Sequence, residues 1–294
     1  MFPSPRLPSH NLNRIGGRIR AGLSKRNHSG PKIEAIKEVV EGDKEGQALP
    51  DSHPQYPGAA QPHLPVGGRL QYFWKVWKGY GAHPYIVSIL RSGFKIPFQR
   101  KPPVTQVPKI NSTYSDPTKR RLLQEAIQSL LTKRAIEFVK NPRSPGFYSR
   151  MFLVPKKTGD WRPVTDLSAL NQFIQCPTFK MDTAEHVRTS LQVGQWLTSI
   201  DLKDAYLHVP IHPGYRKFLR IQVLGRVYQF RVLPFGINVA PRLFTKIAAQ
   251  VKVIMVRESI KIHQYIDDWL VKAGSEEQVS HDTQRLLRIS RELR

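Results

Sequence analysis

The 294-residue sequence has a single cysteine, Cys176, so no disulfide forms within the chain and no cysteine-rich zinc site can be built. A reducing compartment fits that usage. No run of 18 apolar residues is present, which leaves no segment suited to a membrane-spanning helix. The opening stretch, MFPSPRLPSHNLNR, lacks the apolar core of a secretory signal. Together these absences predict an intracellular protein, cytoplasmic or nuclear, and not a secreted one. Acidic residues are also scarce. Only 22 Asp and Glu face 46 Lys and Arg, a formal charge of +24. That excess is beyond what solubility needs and points to a polyanion, most simply nucleic acid. A basic but inert surface is the competing explanation.

The charge is not confined to a tail. Residues 1–65 hold nine Lys and Arg against six Asp and Glu, so residues 66–294 carry +21 of the total. Residues 1–65 are rich in Pro, Gly, Ser and His and poor in aromatics, which predicts a disordered or linker segment. Within it only 32–41, KIEAIKEVVE, has the makings of a short helix. Residues 66–115 form an aromatic-rich extension. There Leu70, Phe73, Trp74 and Trp77 recur at helical spacing and predict one packed face, in preference to a base-stacking surface.

Residues 116–139 read as a helix, capped by Asp116 with Pro117 in its first turn. Its apolar stripe runs through Leu122, Leu123, Ala126, Ile127, Leu130, Leu131 and Ile136. From 147 to 272 strand-like runs alternate with helices. The runs are YSRMFLVPK, WRPVTDL, WLTSIDL, FLRIQV, VYQFRVL and HQYIDDWLVK, and Leu224-Gly225-Arg226 signals a hairpin between two of them. Helices are expected at 183–191, opened by Asp182 or Thr183, at 240–257 with Pro241 in the first turn, and at 275–294 behind Ser275. The mixture predicts an α+β domain with an antiparallel sheet packed on helices.

The run QYIDDWLV, residues 264–271, sets two aspartates inside an apolar and aromatic stretch. A hairpin turn would explain Asp267 and Asp268. So would a divalent cation, whose charge offsets the cost of clustering carboxylates. A second strand-like run, WLTSIDL, ends on Asp201, and Asp204 follows closely. Two strands each bearing an aspartate, laid side by side, would suit two metal ions roughly 3.5–4 Å apart, the arrangement of in-line phosphoryl transfer.

These stretches resemble a family. TSIDLKDAYLHVPIHP is similar to the first catalytic motif of reverse transcriptases, LPFGINVAPRLFTKI to the second and YIDD to the third. FLVPKKTGDWRPVTDLSALNQFI is similar to their fingers segment. Order and spacing agree across 147–274. The aromatic stretch from Gly67 to Phe98 further resembles the segment preceding the polymerase in DIRS-like retrotransposons.

The resemblance implies an RNA-directed DNA polymerase with fingers and an antiparallel palm sheet over residues 116–294. Its cofactor would be two Mg²⁺ ions, with Mn²⁺ as an alternative. Its partners would be dNTPs, an RNA or DNA template-primer duplex and the remainder of a retroelement polyprotein. Asp201 and Asp267 would hold both ions, with the Leu202 carbonyl completing a shell and Asp268 supporting them. Asp204, Ala205 and Tyr206 would lie under the incoming nucleotide, the Tyr206 ring excluding a 2′-hydroxyl. Lys156 or Lys157, with Arg162, would contact the triphosphate. Phe235 and Gly236 would shape the nucleotide pocket. Taken singly, Lys156 and Lys157 read as an exposed hairpin, Tyr206 as a core aromatic and Gly236 as a turn. Asp166 reads as a structural partner for a basic side chain.

The sequence departs from the family after the third motif. No later palm elements, no thumb and no ribonuclease H domain follow by Arg294, which suggests a truncated reading frame. Two expectations therefore stand side by side. One is a polymerase or a fragment of one, linked in its parent polyprotein to ribonuclease H. The other is a silent remnant that only binds nucleic acid.

Overall fold

In a computed structural model, residues 35–36, 64–108, 110–156, 159–179 and 184–294 are described. Most of residues 1–65, the segment expected to be disordered, lies outside them, as do Lys157 and the caps Asp182 and Thr183. The first described element is β1 (Ala35–Ile36), whose backbone pairs in parallel with Leu197 and Thr198. A helix was expected over 32–41. A lone ten-residue helix is marginal in water, whereas the unpaired edge of a strand offers ready hydrogen-bond partners.

The aromatic extension forms a 3₁₀ turn over Arg69–Tyr72 and two short helices, α1 (Trp74–Gly79) and α2 (Pro84–Ser92). Leu70, Phe73 and Trp77 are buried as the spacing predicts, while Trp74 is only half-buried. Then comes α3 (Pro117–Thr132), whose Asp116 side chain accepts from the Thr118 amide at 2.9 Å. This helix stops seven residues earlier than expected. Arg134 turns left-handed at φ 53, and the Ala135 amide closes back on the Leu130 carbonyl at 2.8 Å. Ile136 therefore belongs to a strand, β2 (Ile136–Phe138), and not to the helical stripe. The signal was faint because an arginine, not a glycine, occupies the left-handed cap position.

An antiparallel hairpin pairs β3 (Tyr148–Pro155) with β4 (Trp161–Asp166), and α4 (Ser168–Asn171) follows directly. Asp166 accepts from the Ser168 amide at 3.0 Å. Its carboxyl is held below its ordinary value by the Ser168 side chain and amide first and by Arg150 last, so its main partner is a helix start and the basic residue is secondary.

Next are α5 (Ala184–Thr189) and β5 (Trp196–Asp201). The hairpin of β6 (Arg220–Val223) and β7 (Arg226–Phe230) turns on Leu224 and Gly225, at φ 50 and 78, as their sequence signals. Helix α6 (Ala240–Arg257) keeps its expected bounds. The run around the twin aspartates is two strands and not one. β8 (Lys261–Tyr265) turns at Ile266 and Asp267 into β9 (Asp268–Ala273). Ile266 takes φ 55, a conformation that few β-branched residues adopt, which is why the turn is hard to see in the sequence. Finally α7 (Glu276–Glu292) starts behind Ser275, whose hydroxyl accepts from the Gln278 amide at 3.2 Å.

The strands form two sheets, ordered β1-β5-β9-β8 and β2-β7-β6-β3-β4. Both are antiparallel except for the parallel pairs β1–β5 and β3–β6. In the first, α6 packs on β8, and α7 packs on β9 and β5. Ile262, Trp269 and Val271 face that helix layer and are buried. Beyond the helices lies the extension. The Trp77 indole donates to the Leu293 carbonyl at 2.7 Å, the Tyr80 hydroxyl bonds Glu292, and the His83 amide donates to Gln250 at 2.8 Å. Side chains from the extension, both sheets and both long helices share one apolar core.

Candidate active site

Residues on alternate positions of a strand share a face. In the β5–β9 ladder Ile200 pairs with Trp269 on the face packed by helices, and the next pair, Asp201 with Asp268, falls on the opposite face. Tyr265 pairs with Asp268 from the other side and joins that face. Both aspartates are exposed there. Asp267 occupies the β8–β9 turn, and its carbonyl accepts from the Leu202 amide at 2.9 Å. That bond ties the end of β5 to the turn, so Asp201, Asp267 and Asp268 meet at one end of the sheet.

Their electrostatics agree. Burial first, then the charges on Asp267 and Asp201, push the Asp268 carboxyl above its ordinary value. The neighbours acting on it are both negative, so this end of the sheet suits a cation. The donors on offer are carboxylate and carbonyl oxygens, the set that hard divalent ions prefer. Among the described residues no three His, Cys, Asp or Glu side chains stand close enough to hold a metal ion alone. Other oxygens would have to complete a shell.

After Leu202 the chain turns through Asp204, left-handed at φ 59, into a 3₁₀ turn over Ala205–His208. Asp204 is bound by Lys133, whose ammonium lies 2.8 Å from its carboxylate; the two side chains are 31% (Lys133) and 18% (Asp204) exposed. Its carboxylate is therefore engaged by α3. Ala205 and Tyr206 are buried. The Tyr206 ring centre lies 4.9 Å from that of Phe235 and 5.6 Å from that of Phe244. Phe235 is 54% exposed, unusual for its type, and so caps the buried ring with an open one. Burial, then the charges of Asp267 and Tyr265, push the Tyr206 hydroxyl up to about 12.

Gly236 takes φ +93, and a Cβ there would lie 3.1 Å from the Thr165 carbonyl of β4. The loop of Phe235 and Gly236 is thus set against the β3–β4 hairpin. Asn171 fastens it. Its amide donates to the Gly236 carbonyl at 2.9 Å, and its side-chain oxygen accepts from the Asn238 amide at 3.0 Å. Neither Lys133 nor Asn171 was singled out for the site from sequence. Asn171 lies in the fingers motif, but only the fold shows what it touches, and Lys133 is 71 residues from its partner. Lys156 and Arg162 are exposed toward the tip of the β3–β4 hairpin. Arg162 is three residues, about 10 Å, along β4 from the Thr165 approach. The fold does not bring these two basic residues into contact with the carboxylates. Lys157 lies outside the described residues.

Three comparisons bear on this arrangement. Residues 154–294 match the family described as reverse transcriptase (RNA-dependent DNA polymerase). The Transposon Tf2-3 polyprotein of Schizosaccharomyces pombe is 29% identical over 134 residues, which is 45% of this chain and 10% of that protein. The Tf2-7 polyprotein of the same organism is 30% identical over the same shares. The chain thus spans about a tenth of the length of the curated relatives it matches. In fold, it is similar to the prototype foamy virus protease-reverse transcriptase, as the native protein and as its CSH mutant. Each match has a TM-score of 0.52 at 18% identity, over 77% of this chain and 32% of that one. In sequence residues 154–294 are similar to reverse transcriptases, and in fold the chain is similar to one of them.

Proposed function

We propose that this chain carries the polymerase centre of a retrotransposon, extending a primer 3′-hydroxyl with deoxynucleotides on an RNA template. The observation that carries the reading is the meeting of Asp201, Asp267 and Asp268 beside the Tyr206–Phe235 pair. Asp201 and Asp267 would hold two divalent ions with the Leu202 carbonyl, and Asp268 would support them through its charge. Such ions, when bound, make the primer hydroxyl a better nucleophile and neutralise charge developing on the phosphates. Substrate phosphates would complete the shell.

The remaining work falls to the chain itself. Lys156 or Lys157, with Arg162, grips the triphosphate, Arg162 through a planar fork that donates two bonds at once. Tyr206, with Ala205 beside it, forms the floor under the sugar, and its buried ring leaves no room for a 2′-hydroxyl. Phe235 and Gly236 shape the pocket for the base pair, and the glycine lets their loop close on the Thr165 carbonyl. Asp204, engaged by Lys133, holds the turn that positions Ala205 and Tyr206. The basic fingers and palm bind duplex backbone without reading sequence, so affinity falls steeply with salt. The likeness of the Gly67–Phe98 stretch supports a DIRS-like origin, and the boundaries 66–115 for the extension and 116–294 for fingers and palm belong to the same reading.

A primer-extension assay on an RNA template with Mg²⁺ tests it, with Asp267→Ala as the comparison. Extension that Asp267→Ala abolishes is the expected result. Extension untouched by that change would reject the site. Salt-sensitive duplex binding with no extension by either protein would favour a chain that binds nucleic acid without copying it.

A further inference from the structure

Between Asp51 and Asp116 the sequence has eight Lys and Arg and no acidic residue. Helix α6, against which this extension packs, has none either, and it carries Arg242, Lys246, Lys252 and Arg257. The buried aromatics of the extension account for its packing. They do not account for its outer face.

On that face α2 turns Tyr85, Ser88, Arg91 and Ser92 outward, followed by Lys95, all exposed. Tyr85 is 49% exposed and lies under the Lys246 ammonium, 5.7 Å from its ring centre. At the other end of α2 the Arg91 guanidinium lies 5.0 Å over the half-buried Trp74 ring, and Lys75 lies 5.8 Å from it. None of these four cations forms an ion pair with a carboxylate among the described residues. Aromatic faces hold three of them, Lys75, Arg91 and Lys246, in place and leave their N–H groups free for an anion. The stripe runs the length of α2, about 13 Å. It lies across the α6–α7 layer from the face that bears Asp201 and Asp268.

We propose that this outer face is a second nucleic-acid surface, which takes a single strand along α2. Lys75, Arg91, Lys95 and Lys246 meet its phosphates, and Tyr85 offers a ring on which a base stacks. Cations set around an exposed ring suit a single strand, whose bases are free to stack, better than a duplex, whose bases are not. The surface needs no catalysis and does not rest on the polymerase reading.

Binding of a fluorescent single-stranded RNA of about 12 nucleotides, measured by anisotropy across a salt series, tests it. The joint variant Lys75→Glu, Arg91→Glu, Lys246→Glu is expected to lose roughly tenfold in affinity or more. The slope of log affinity against log salt should fall by about two, near 0.7 for each lost contact to a single strand. Tyr85→Ala should weaken binding several-fold with the slope unchanged. Thermal melting checks the fold, and glutamine at the same three positions repeats the measurement if the glutamate variant melts early. Binding by either joint variant within twofold of the parent at every salt concentration would overturn the proposal. So would binding to anionic vesicles in preference to RNA. Primer extension scored on the same proteins separates the two readings, because either can be lost while the other persists.

Discussion

Asp201 stands directly opposite Asp268 in the antiparallel pairing of β5 with β9. Registered neighbours on one face of a sheet place their side chains within reach, and like charges there repel. An acid whose pKa is raised in the folded state keeps its proton longer there than in the unfolded chain. Its ionisation therefore lowers stability as pH rises. Asp268 is such a group. Asp268→Asn should raise the melting temperature at neutral pH, and the gain should vanish as pH falls through the carboxylate range. Magnesium titration should raise the melting temperature of the parent and leave that of Asp267→Ala unmoved. In extension assays Asp201→Asn and Asp267→Ala should each lose roughly a hundredfold or more, the scale of lost charge stabilisation at a metal-assisted centre.

Lys133 reaches from the end of α3 to Asp204, and both side chains are partly buried. Lys133→Met should destabilise the fold by about 1 kcal/mol, and so should Asp204→Asn, which keeps the tolerance for a left-handed backbone. A double-mutant cycle by denaturant titration should return a coupling of about that size. Full additivity would mean that the pair contributes nothing.

Asn171 makes two hydrogen bonds to the loop that carries Phe235 and Gly236. Asn171→Ala should cost roughly 1–3 kcal/mol. Asn171→Asp keeps the acceptor for Asn238 but faces the Gly236 carbonyl without a donor. It should raise KM for the nucleotide several-fold with less effect on kcat. Gly236→Ala should be worse than either in the extension assay, since its Cβ would crowd the Thr165 carbonyl from a strained backbone.

His208 bonds the Lys203 carbonyl, and burial, then the positive charge of Arg69, pushes its pKa down to about 4 from an ordinary 6.5. A base with a depressed folded pKa binds fewer protons folded than unfolded between those values. Stability is therefore lost as pH falls from about 6.5 to about 4. His208→Gln should flatten that part of a melting-temperature profile. A profile identical to the parent's would show that His208 titrates normally.

Much of the architecture was legible because its signals are local. Pro241 and Ser275 mark the starts of α6 and α7, and their apolar periodicity carries each helix to its end. Leu224-Gly225 announced the β6–β7 hairpin. What was misread sat at backbone exceptions. Arg134 and Ile266 adopt left-handed conformations that glycine or asparagine usually fills, so the end of α3 and the β8–β9 turn left no mark in residue type.

The sequence by itself determined the chemistry on offer: a strongly basic chain, three aspartates set among apolar residues, an aromatic after the first of them, and a glycine in the second motif. Only the tertiary structure decided who meets whom. The pairing of Asp201 with Asp268, the hold of Lys133 on Asp204 and the clasp of Asn171 on the Gly236 loop join residues 65 to 71 positions apart. Such contacts follow from strand register and helix packing, and these minimise the free energy of the whole core, not of any one segment.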